Sequence, residues 1–194
     1  MVEDGSMTSA ADLPGNPPGP HSPEIEPDQK DWTWVLRRPC PDCGFDVGLV
    51  PAATVAARLR ENAARWPAVC SRGESHVRTE PGVWSPLEYA CHVRDVCRVF
   101  EARVNLMRSE VNPAFESWNQ DDAAIAGAYS TQDPEAVSAE LLTAAEAAAG
   151  SFDALDDGDW QRTGRRTNGS IFTLETLGQY FLHDLTHHLH DVHG

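Results

Sequence analysis

The chain has 194 residues, 41% of them hydrophobic, which suits one domain of ordinary size with a real core. Thirty acidic against fifteen basic residues leave a formal charge of −15, a surface that repels phosphate backbones and anionic lipid heads. No nucleic-acid or membrane partner is therefore expected; with no apolar run of membrane-spanning length and no signal-peptide pattern, the expectation is a soluble, cytoplasmic protein. Five cysteines, an odd number, do not read as a disulfide framework.

Residues 1–30 carry Pro14, Pro17, Pro18, Pro20, Pro23 and Pro27 among Gly, Ser and acidic side chains. Such a segment buries too little apolar surface to offset its ordering entropy and predicts a flexible tail. Gly5-Ser6-Met7 within it resembles a junction left by cloning, with Met7 as the natural start. Residues 31–50 form an extension in which apolar Trp32-Thr33-Trp34-Val35-Leu36 precedes a turn at Cys40-Pro41-Asp42-Cys43-Gly44. From residue 51 the pattern is helical. A first helix is predicted from Pro51 or Ala52 to Arg65, ended or kinked by Pro67.

The second helix has the best start signal in the chain. Ser85 caps, Pro86 suits the first helical position, and Glu88 completes a capping box. It should run to about Ser109 and bury Val93, Val96, Cys97, Phe100, Val104 and Met107, with His92 at one edge of that stripe beside Glu88 and Asp95. A third helix opens at Asp133-Pro134 and ends near Leu155. The last starts near Thr173, with Leu174, Leu177, Phe181, Leu185, Leu189 and Val192 as its apolar face. With little strand signal, the fold class expected is all-α: a four-helix bundle over residues 51–194 behind an extended N-terminal segment.

Five of the eight histidines lie in His183-Asp184-Leu185-Thr186-His187-His188-Leu189-His190-Asp191-Val192-His193. On a helix His183 and His187 stand about 40° apart around the axis and roughly 6 Å along it, the arrangement two imidazoles need to hold one ion. They lie opposite the leucine stripe, and His188 lies closer to it. With His92 from the second helix they make a candidate three-imidazole metal site. His188 reads as packed or supporting, and His193 as a frayed terminus.

His183-Asp184-Leu185-Thr186-His187 differs from the His-Glu-x-x-His of zinc peptidases in its shorter acid and lacks their extension toward a third histidine. Cys40-x-x-Cys43 is half of a zinc-ribbon knuckle. No second Cys-x-x-Cys follows, so it reads as a tight turn whose thiols pack under the tryptophans.

Trp84-Ser85-Pro86-Leu87-Glu88-Tyr89-Ala90-Cys91-His92-Val93-Arg94-Asp95, followed by Phe100-Glu101-Ala102-Arg103-Val104, resembles the second-helix signature of the DinB/YfiT-like superfamily. Leu155-Asp156-Asp157-Gly158-Asp159-Trp160 and His183-Asp184-Leu185-Thr186-His187 resemble that family's closing segments. The resemblance implies a four-helix bundle holding a divalent metal, zinc or nickel in many members, through three histidines. These positions are matched here by His92, His183 and His187. The family it resembles includes thiol-dependent transferases and isomerases that use low-molecular-weight bacterial thiols, alongside many members of unknown activity.

The functional expectation is a metal-dependent enzyme moving a thiol onto a small electrophile, with Glu88 and Asp95 orienting His92 or relaying protons. A metal-dependent hydrolase and a non-catalytic metal- or ligand-binding bundle are the alternatives. The partner expected is a small-molecule substrate, with a homodimer left open.

Overall fold

A computed structural model describes residues 31–194, so the tail expected over residues 1–30 and its Gly5-Ser6-Met7 junction lie outside the described residues. The expected first helix divides into α1 (Val55–Ala63) and α2 (Trp66–Cys70), because Pro67 is tolerated in the first turn of a helix but not in its interior. α3 (Pro86–Ser109) starts on a complete capping box: the Glu88 N–H donates to Ser85 Oγ at 3.2 Å and the Ser85 N–H to Glu88 Oε2 at 2.8 Å. After the short α4 (Gln120–Ala126) come α5 (Pro134–Asp153), capped by Asp133, and α6 (Leu174–Asp191), capped by Thr173. α1–α2, α3, α5 and α6 make the four-helix bundle, with α1 and α3 each packed against both α5 and α6.

A small sheet was not anticipated. β1 (Ala114–Phe115) pairs parallel with β2 (Thr163–Arg166), which turns through Asn168-Gly169 into antiparallel β3 (Ile171–Thr173). Strands this short carry no usable alternation. The sheet closes one end of α3, where a Cβ on Gly164 would stand 2.8 Å from Met107.

The extension lies along α6. Trp32–Leu36 is a 3₁₀ turn with Val35 buried, and Gln179 Nε2 donates to the Val50 carbonyl at 3.0 Å. α6 is held from the other side by its apolar stripe. The Phe181 ring stacks on Phe100 of α3 (centroids 4.5 Å apart, planes at 12°) and faces Phe152 of α5 at 6.4 Å. Phe181→Ala removes the ring shared by three helices and should cost about 3–5 kcal/mol. Urea unfolding of the two proteins measures this difference.

Candidate metal centre

α6 carries two overlapping pairs at helical i, i+4 spacing: His183 with His187, and Asp184 with His188. The pairs are offset by one residue, so they point about 100° apart around the helix. The apolar stripe decides where each goes. Phe181, Leu185 and Leu189 are buried against the bundle, which leaves His183 and His187 on the far side of the helix. Asp184 and His188 flank the stripe and face α3.

His92, 1% exposed, meets that flanking pair. Its Nε2 lies 3.4 Å from Asp184 Oδ1, and His188 Nε2 lies 3.2 Å from the same oxygen. The His92 ring is clamped between Trp84, centroid 5.1 Å away, and Trp118 at 5.5 Å, while His188 sits edge-on to it at 4.7 Å. All three ligand atoms fall within 4.8 Å of one another. Bonds of about 2.0–2.2 Å from nitrogen and oxygen to a tetrahedral ion give edges of roughly 3.4 Å, so two imidazoles and a carboxylate already stand at coordination spacing. On the outer side of His188, Nδ1 contacts Asp191 Oδ2 at 3.1 Å, the kind of carboxylate partner that fixes a ligating ring.

The far-side pair meets the extension. Cys40 Sγ lies 3.7 Å from His187 Nδ1, and Cys40, Cys43, His183 and His187 form a second group whose ligand atoms all lie within 4.8 Å. The expected turn is present: the Gly44 N–H donates to the Cys40 carbonyl at 2.9 Å and the Cys40 N–H to that of Phe45 at 2.8 Å, with Gly44 at φ +74°. Its thiols, expected only to pack under tryptophans, instead face two imidazoles.

The three histidines named from sequence are thus distributed over two clusters. His92 stands with Asp184 and His188, and His183 and His187 stand with the cysteines. Glu88 and Asp95, the carboxylates expected beside His92, have further partners. Glu88 is spent on the Ser85 cap and on Arg78, with Arg78 Nε donating at 2.8 Å. Asp95 receives Arg94 Nε at 2.9 Å and the Tyr129 hydroxyl at 2.6 Å. Both carboxylates have cationic or capping partners of their own, and the carboxylate that meets His92 is Asp184. His190 and His193 are exposed.

The sequence matches the DinB superfamily over residues 56–192, most of the described chain. The chain belongs to the DinB superfamily. Among solved structures this DinB-superfamily chain is similar to YfiT from Bacillus subtilis, described as a probable metal-dependent hydrolase with an unusual four-helix bundle topology. The likeness has a TM-score of 0.64 at 21% identity, covering 72% of this chain and 82% of that one, and it shows the shared fold. No curated protein matches the chain.

In this DinB-superfamily bundle a cavity of about 280 Å³ is bordered by His183, Asp184, His187 and His188 of α6, with Trp32, Trp84, Tyr89 and Tyr180 among its walls. Burial holds the His92 imidazole below its ordinary pKa, against the pull of Asp184, so it stands neutral and able to coordinate. Burial would lower His188 too, but hydrogen bonds to Asp184 and Asp191 outweigh it and hold its pKa up at about 9. Burial pushes Asp184 up, and its bonds to His188 and His92 reverse this and keep it well below the usual carboxylate range. His183 is pushed down to about 4 by burial and then by His187.

In the metal-free protein His188 and the His183/His92 pair affect stability in opposite senses. The raised His188 gives stability that is full below its unfolded value of 6.5 and lost as pH climbs through about 9. The lowered His183 and His92 must charge on unfolding, so stability also falls as pH drops below 6.5. Urea midpoints of the stripped protein should therefore peak near pH 6.5 and fall on either side of it. Loading an ion at neutral pH should expel roughly one proton from His188, measurable by calorimetry in buffers of different ionisation enthalpy.

Proposed function

We propose that this chain is a metal-dependent hydrolase of small neutral or cationic molecules, with His92, Asp184 and His188 as the protein ligands. The observation that carries the reading is the convergence of those three side chains from two helices, two of which, Asp184 and His188, line the cavity. A divalent ion bound there would lower the pKa of a coordinated water and polarise a carbonyl. The described similarity to YfiT supports the same class of reaction.

The protein's own groups define the rest. Two imidazoles and a carboxylate are too few to saturate the ion, so room is left for water and substrate. Asp191 holds His188 by Nδ1 and so keeps Nε2 directed toward Asp184. Trp84 and Trp118 pack against the His92 ring, whose Nε2 meets Asp184 and whose Nδ1 is buried without a hydrogen-bond partner. Asp121, Asp184 and Asp191 all line the cavity, which disfavours phosphate esters and other anions. Trp32, Trp84 and Tyr89 offer flat apolar walls to the remainder of an amide or ester.

Transfer of a low-molecular-weight thiol is the second reading. It is best served by three neutral imidazoles on zinc or nickel. An anionic oxygen ligand at Asp184 makes the ion harder and less attractive to a thiolate, which favours water.

The test uses metal-stripped protein reloaded with zinc, nickel or manganese and assayed on neutral and cationic amides and esters, with and without thiols. Metal-restored hydrolysis is expected, and consumption of thiol in place of water would establish the second reading. His92→Ala and His188→Ala should lose the ion and the activity together, whereas Asp191→Asn should weaken metal affinity by about 10–100-fold. Full metal occupancy in the His92 and His188 variants would overturn the assignment.

A further inference from the structure

We propose that Cys40, Cys43, His183 and His187 bind a structural zinc ion that fastens the N-terminal extension to α6. This site is separate from the ligands of the proposed function: it shares no donor with His92, Asp184 and His188. The four residues come from segments at least 140 positions apart, yet their donor atoms lie within 4.8 Å of one another. Two cysteines at x-x spacing on a turn and two histidines at i, i+4 on a helix are a complete tetrahedral set, and sulfur with nitrogen selects zinc.

The distances agree. Zinc bonds of about 2.3 Å to sulfur and about 2.0 Å to nitrogen give sulfur–nitrogen edges of roughly 3.5 Å. The Cys40 Sγ to His187 Nδ1 separation is 3.7 Å. His183 supplies an independent sign. It is 3% exposed, and its Nε2 is buried with no hydrogen-bond partner, a costly state for an imidazole that lacks a ligand. The other nitrogen of His187, Nε2, faces Asp191 Oδ1 at 3.8 Å, on the side where metal-bound imidazoles are usually steadied by a carboxylate.

Surroundings and charge point the same way. Cys40 is 1% exposed, and Phe45 and Trp32 meet the imidazoles edge-on, with Phe45 5.5 Å from His183 and Trp32 5.1 Å from His187. On binding, both thiols lose their protons to solvent, and two thiolates cancel the charge of the ion. A neutral centre can sit under aromatic cover without the cost of an isolated charge. With all four positions taken by protein, no place is left for substrate, so the ion's work is mechanical. It ties residues 32–50 across α6 and holds Trp32 in the cavity wall.

The experiment takes the full chain without a histidine tag and loads it to saturation with cobalt. Wild type should show a near-ultraviolet sulfur-to-cobalt charge-transfer band and intense tetrahedral visible bands. The double variant His92→Ala/His188→Ala should keep both. Cys40→Ser/Cys43→Ser should lose the sulfur band and about one equivalent of metal per chain. It should also lose hydrogen-exchange protection in residues 32–50 while α3 and α5 keep theirs. If that variant does not fold, the wild-type spectrum decides alone. Absence of the sulfur band from saturated wild type overturns the proposal, as does a Cys40–Cys43 disulfide in freshly purified protein with metal content unchanged. Loss of metal from the His92/His188 variant alone bears only on the hydrolase site.

Discussion

The rotation of α6 about its own axis governs both clusters. That rotation is set by burial: Leu174, Leu177, Phe181, Leu185 and Leu189 are all 5% exposed or less, and the Phe181 ring is locked between Phe100 and Phe152. Turning the helix by one residue would bring His183 and His187 round toward α3 and would expose the leucines. Each fully buried Leu or Phe is worth about 1.5–3 kcal/mol, far more than any preference of one imidazole over a carboxylate at the site. The hydrophobic stripe therefore chooses the donor set. It puts Asp184 beside His92 and leaves His183 and His187 to the extension, and in that way would set the hardness of the proposed metal site.

Much of the architecture was legible. Ser85 and Glu88, Asp133-Pro134 and Thr173 marked three helix starts because capping is local chemistry, settled within one turn. Membership of the DinB superfamily was legible for the same reason, in a compact signature around His92. The sheet was not, since strands of two to four residues hold together only through partners distant in the chain.

The distribution of the histidines shows a different limit. His183-Asp184-Leu185-Thr186-His187-His188 contains two i, i+4 pairs one residue apart, and spacing alone favours the pair that is all histidine. The deciding signal was nevertheless in the sequence: His183 and His187 fall opposite the leucine stripe, where a bundle helix has no neighbouring helix to meet. A ligand pair there needs a further layer, and that layer is the extension carrying Cys40 and Cys43. What hid it was sequence distance. A half-knuckle near one end and a histidine pair near the other look unrelated until the fold lays them side by side.

Asp191 touches both clusters, with Oδ2 on His188 and Oδ1 toward His187. One carboxylate cannot be optimised separately for two rings that face different partners. Any change in its reach or acidity is felt at the proposed hydrolytic site and at the proposed fastening site together, so drift at position 191 would be pleiotropic. Selection on the chemistry and selection on the attachment of the extension are yoked through a single side chain at the end of α6.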